Sequence, residues 1–160
     1  GDAAFAMAMD DQMTPDIMVE RLGVTTFCCL LPNDHQLVDQ DTVSFTDLQA
    51  ETVISYRSPT RPRVELDKAA RAQGLDFSAQ LEIEVSISAV GFVQAGLGVA
   101  VVDALMPWHQ FQGVTSRPLK DSPKLPLSLL TLTGKTLSRA EEGMRDEIRK
   151  LCAERLPSKS

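Results

Sequence analysis

Three cysteines, two histidines, no excess of basic residues and no long apolar run mark this 160-residue sequence, and each shortage removes a class of function. Cys28, Cys29 and Cys152 are odd in number and two are adjacent, so they outline no disulfide framework and point to a reducing compartment. There is no CxxC pair, and His35 and His109 are far apart, so the four convergent ligands of a zinc site are not expected. The 16 Lys and Arg against 22 Asp and Glu leave a formal net charge of -6. A chain so acidic lacks the basic footprint that duplex binding requires, and any DNA contact has to come from elsewhere. No stretch reaches the roughly 18 apolar residues of a membrane helix. The start shows no basic region followed by a hydrophobic segment and cleavage site, so a cytoplasmic location is expected. GxSxG, HExxH and the P-loop are missing, as is a convergent acid, base and nucleophile. The reading is of a protein that is not an enzyme and needs no cofactor and no metal.

What is present is a sequence 43% hydrophobic, long enough for one domain or two small lobes. "SAVGFVQAGLGVAVVDAL", residues 88–105, places Gly96 and Gly98 one residue apart, like part of a dinucleotide loop. The third glycine of that fingerprint is replaced by Val101, and the order of elements is reversed. Ser88 to Ala95 has helical periodicity and Leu97 to Val102 is an apolar run of strand length, so Gly96 is read as stopping a helix and releasing a buried strand.

Elsewhere the pattern alternates in the same way. Strands are expected at Ala3–Ala8, Thr25–Leu31, Thr52–Tyr56 and Gln80–Val85, and two more in "VTSRPL" and "LPLSLLTLT" between proline turns. Residues 13–24 read as a polar turn and a short amphipathic stretch, and Phe45–Gln49 as a small helical element. A helix over Arg63–Gln73 ends at Gly74. The last helix, Leu137–Leu156, opens with a Ser138 and Glu141 capping box and carries Met144, Ile148, Leu151 and Cys152 on one face, as a helix docked on a surface does. Strands alternating with helices imply a mostly parallel sheet covered on both faces, with ligands at the carboxyl ends of its strands.

"SYRSPTR" is the most informative polar stretch. It sets Ser55, Arg57, Ser58 and Thr60 after a strand and before a helix, where backbone N–H groups and a guanidinium can hold a carboxylate. Helix capping by Ser58 or Thr60, with Arg57 solvated, explains the same residues, and the two roles are not exclusive. "EVSISAVG" repeats the arrangement, with Ser86 or Ser88 as a cap. Cys28 and Cys29 are expected to point to opposite faces of a buried strand, and His35 and His109 to be solvated loop residues.

The order "CCLLPNDHQL", "FTDLQAETVIS", "GFVQAGLGVAVV", "SRPL" resembles the regulatory domain of LysR-type transcriptional regulators over nearly the whole chain. The resemblance implies a two-lobed α/β fold like that of type II periplasmic binding proteins, with residues 27–127 as lobe II. Residues 1–26 and 128–160 would be the remnant of a lobe I whose first elements are missing, the chain being entered midway. It also implies an effector-binding function: a small metabolite in an interlobe cleft shifts the lobes of a homo-oligomer whose helix-turn-helix DNA-binding domain lies outside this chain. By position, Ser55, Arg57, Ser58, Ser88 and Gly91 would be the lobe II half of that cleft. Asp103 stands where many relatives have proline, and "VVDAL" looks like the branch that senses amino-acid-derived compounds such as opines, so the effector expected is amino-acid-like or another carboxylate. The rivals are a solute-binding protein that delivers ligand to a transporter, which needs export, and an α/β enzyme, which needs a catalytic set the sequence does not show.

Overall fold

The apolar runs assemble into two separate sheets in a computed structural model, which describes residues 3–156. The chain divides into two compact units, one formed by its two ends (up to Thr25, and from Leu125 onward) and one by Thr26–Lys124. The sequence places these boundaries at 26/27 and 127/128.

In the larger unit the strands are β3 (Phe27–Pro32), β4 (Val53–Tyr56), β5 (Leu81–Ile83), β6 (Val99–Asp103) and β7 (Val114–Pro118), counted after β1 (Ala6–Ala8) and β2 (Ile17–Thr25) of the smaller unit, and their order is β5-β4-β6-β3-β7. The expectation of a mostly parallel sheet is corrected: β4 is parallel to β5 and β6, but β3 is antiparallel to both β6 and β7. Helices α1 (Arg61–Ala72) and α2 (Ser88–Gln94) supply the crossovers that parallel neighbours need. Between β3 and β4 there are only short 3-10 turns at Gln36–Asp39 and Asp47–Ala50.

Every residue of β4 and β6 is buried, the signature of strands covered on both faces. Alternation sends Cys28, Leu30, Ile54, Ala100 and Val102 to the side where Ala89, Val90 and Val93 of α2 pack. Cys29, Leu31, Val53 and Val101, of opposite parity, are buried as well. The two vicinal cysteines thus fill opposite faces of β3.

Glycine sets both ends of the α2–β6 connection. Gly96, at φ 71°, donates its N–H to Val93 O while Leu97 N–H reaches Phe92 O, a Schellman closure that a residue without Cβ adopts freely. Gly98 has φ 144°, and a Cβ there would lie 2.1 Å from the Thr52 carbonyl oxygen. The same closure ends α1 at Gly74. The paired glycines are structural and form no phosphate loop.

The smaller unit is an antiparallel sheet, β1 (Ala6–Ala8), β8 (Leu125–Leu132) and β2 (Ile17–Thr25), in the order β1-β8-β2. The amphipathic stretch expected before residue 25 is therefore a nine-residue strand. Its burial does not alternate strictly, because the register shifts between Arg21 and Gly23. Helix α3 (Arg139–Arg155) begins with the Ser138–Glu141 capping box as expected. Its docking is lighter than its apolar stripe suggests: no residue of α3 is buried, and Met144 and Leu151 stay exposed. Arg149 holds it through two 2.6 Å hydrogen bonds to the Glu20 carboxylate of β2.

Gly98→Ala is expected to cost more than about 3 kcal/mol, since both the backbone angle and the space forbid a side chain. Gly143→Ala, in open space on α3, is expected to be neutral or to stabilise by up to about 1 kcal/mol. Thermal melting of the two variants checks the contrast.

Candidate functional site

Parallel pairing of β4 and β5 runs to Tyr56 opposite Ile83, so both strands end at the same level and the loops that follow start side by side. Arg57 N–H donates to Ile83 O at 3.0 Å. The Arg57 guanidinium is 60% exposed and stands 3.6 Å from the still more exposed Glu84 carboxylate. A pair so solvated contributes little, which leaves the guanidinium free to turn to another anion.

The five residues singled out by sequence fall into two groups. Arg57, Ser58, Ser88 and Gly91 are all exposed at or near these strand ends, and a side chain at Gly91 would meet open space. Ser55 is fully buried, and its hydroxyl donates to Val101 O at 2.8 Å. It ties β4 to β6 inside the sheet, with no lone donor left to offer a ligand.

The capping roles also differ from expectation. Thr60 is the N-cap of α1 by position, with no side-chain cap bond, and its hydroxyl donates back to Arg57 O at 2.7 Å. Ile87, not a serine, precedes α2, and Ser88 donates to Val85 O at 2.7 Å. Both hydroxyls therefore stiffen their own loops. His35 is no solvated loop residue either: it is partly buried, its Nδ1 accepts from Leu37 N–H at 3.2 Å, and Nε2 lies 3.3 Å from Glu51. His109 is exposed.

Sequence reasoning missed a buried polar cluster directly behind these loops. Asp103, the last residue of β6, is 1% exposed. Its carboxylate accepts from the Tyr56 hydroxyl at 2.5 Å and from Leu105 N–H at 3.0 Å, and its own N–H donates to the Tyr56 oxygen at 3.1 Å. Its carbonyl accepts from the Trp108 indole N–H at 2.8 Å and faces the Cys28 thiol at 3.8 Å. The signal was available: an apolar run that ends on an aspartate, and one tyrosine and one tryptophan in the chain. Nothing in their spacing says that they meet.

Burial, with the Asp103 charge second, raises the Tyr56 phenol well above its ordinary value. The same two causes push the Cys28 thiol up to about 12, and burial raises Cys29 further from reactivity. The vicinal thiols are packing groups. Among the described residues no three His, Cys, Asp or Glu side chains are grouped to hold a metal ion.

Exposed polar residues thus lie at the carboxyl ends of neighbouring parallel strands, where α/β sheets hold their ligands. Residues 1–153 match the LysR substrate binding domain, and the chain belongs to this family. Among curated relatives, it is 30% identical over 89 residues to the regulatory protein NocR of Agrobacterium tumefaciens (strain T37), a match over 56% of this chain and 30% of that protein. It is 25% identical over 152 residues to YfeR of Shigella flexneri, an uncharacterised HTH-type transcriptional regulator, covering 93% of this chain and 49% of the relative. The chain thus matches half or less of the length of these two relatives. In fold it is similar to the regulatory domain of Synechocystis PCC6803 CcmR in complex with 2-PG, with TM-score 0.77, 16% identity, and coverage of 98% of this chain and 76% of that one. The QuiR effector-binding domain in complex with shikimate gives TM-score 0.78, 15% identity, and 96% and 74% coverage. The expected α/β fold like that of type II periplasmic binding proteins is borne out, apart from the mostly parallel sheet corrected above. Among the described residues no helix is long and apolar enough to cross a membrane.

The raised pKa values have a sign. Tyr56, Cys28 and Cys29 keep their protons in the folded state at pH values where the unfolded chain loses them. Their contribution is therefore fully present below the ordinary thiol and phenol values of 9.0 and 10.0 and is lost as pH rises above them. Denaturant melts from pH 8 upward are expected to show stability falling from about pH 9, with tyrosinate absorbance appearing only together with unfolding.

Proposed function

We propose that this chain is the effector-binding part of a LysR-type transcriptional regulator and that effector residues lie at the ends of β4 and β5 in the larger unit. The observation that carries this reading is the side-by-side placement of two strand ends, one followed by the exposed Arg57 and Ser58 and the other by helix α2 with the exposed Ser88 and Gly91. Ser55 enters as the residue that secures β4 beneath them. One exposed guanidinium beside the Ser58 hydroxyl suits a small carboxylate, and a bidentate pair with Arg57 gives orientation as well as affinity.

The ligand in the QuiR complex, shikimate, is itself a carboxylate. An amino-acid-like effector remains within this class, with Glu84 beside Arg57 able to receive an ammonium group. The relatives are named as regulators, which favours a sensor over a transporter's solute carrier. In this reading the regulator works in the cytoplasm as a homo-oligomer, and DNA is bound by a helix-turn-helix segment outside these residues. Effector binding acts by its differential affinity for two arrangements of the protein.

The smaller unit supports the idea that it is a lobe I remnant. Its sheet exposes Met7, Met18 and Leu132 and bears a hollow of about 310 Å³ lined by Phe5, Ile17, Leu130 and Leu132 among others, apolar surface that a completed lobe buries.

Thermal melting is the test, run on this chain and an N-terminally extended version with shikimate, glutamate, opines, succinate and benzoate. A ligand that binds only the folded state raises the midpoint by several degrees at saturating concentration. Arg57→Ala is expected to weaken the responding compound by about tenfold or more. No response from either version, or a response that Arg57→Ala leaves intact, contradicts the proposal.

A further inference from the structure

We propose that Tyr56 is a positioning residue for the strand-end site, holding the Asp103 carboxylate where β6 stops and so fixing the backbone from which Arg57 departs. This rests on the reading of the strand ends as the effector site. Tyr56 is 4% exposed, so it does not meet a ligand itself.

The phenol oxygen has one proton to donate and two lone pairs to fill. It donates to Asp103 Oδ2 at 2.5 Å and accepts from Asp103 N–H at 3.1 Å. One oxygen therefore joins the terminal residue of β4 to the terminal residue of β6. Asp103 extends the junction by accepting from Leu105 N–H at 3.0 Å and, through its carbonyl, from Trp108 Nε1 at 2.8 Å.

Chain connectivity takes this junction to the site, because Arg57 and Ser58 follow Tyr56 directly. Loss of the junction would let these two residues wander relative to the sheet, and contacts to one small carboxylate need both held. The partners of the Asp103 carboxylate, a phenol and an amide N–H, carry no positive charge, so its position depends on those donors being in place. A role in general stability alone would not confine the effect of losing the hydroxyl to these loops.

Amide hydrogen exchange on the full 160-residue chain, with Tyr56→Phe and the isosteric Asp103→Asn as variants, separates the two. Peptides covering residues 57–60 and 104–108 are expected to exchange about tenfold faster in Tyr56→Phe, while the protected amides of β3 change little, the pattern of a local opening. Should Tyr56→Phe fail to fold, Asp103→Asn carries the same expectation. Uniform acceleration across the larger unit, or no change, overturns the proposal. In the carboxylate panel, the compound that raises the midpoint is expected to bind Tyr56→Phe about tenfold more weakly at a temperature where both proteins are folded, and unchanged affinity also overturns the positioning role. Exchange is read without ligand, so loosened loops with no responding carboxylate would preserve the junction and remove the site.

Discussion

Strand β6 has to end on a carboxylate that water does not reach. All five of its residues are buried and the last is Asp103. A buried, unpaired charge costs several kcal/mol, so the fold brings donors to it: the only tyrosine from the end of β4 and a backbone N–H from the turn beyond. The other end of β6 is equally constrained, because Gly98 lies against the Thr52 carbonyl where no side chain fits. Held at both ends between β4 and β3, β6 is the central strand of the larger sheet.

From that arrangement follows a division of labour between neighbouring residues. Ser55 and Tyr56 turn inward and spend their hydroxyls on Val101 and Asp103. Arg57 and Ser58, the next two residues, are exposed. Rigid backbone beneath exposed side chains is what a binding site requires, since the loops can present groups without being free to collapse. Thr60 and Ser88 contribute by bonding back to carbonyls of their own loops. In the smaller unit no residue of α3 is buried, Arg149 ties the helix to Glu20 of β2, and apolar side chains of both α3 and the sheet lie open.

Local signals were legible in the sequence because they depend on neighbours a few residues away. The stop at Gly96, the stop at Gly74 and the Ser138 cap all appear where the residue types place them. Strand direction was not legible, since β3 pairs antiparallel with partners some 70 to 90 residues distant and no periodicity records that choice. Strand β2 was hidden by a register shift that breaks its alternation. In the site, exposure of Arg57, Ser58, Ser88 and Gly91 was consistent with their position after strands, whereas burial of Ser55 was decided by one long-range bond to Val101. The Tyr56–Asp103 contact joins residues 47 positions apart, beyond any local reading.

The central claim is that ligand meets the protein at the ends of β4 and β5. Its most direct test is amide chemical-shift mapping with the carboxylate that responds in melting. The account predicts that the largest shifts fall on Arg57, Ser58, Ser88 and Gly91 and reach Trp108 through Asp103, with β7 and the far ends of the strands quiet. Shifts centred elsewhere, for example on the hollow beside Phe5 and Leu130, would contradict it.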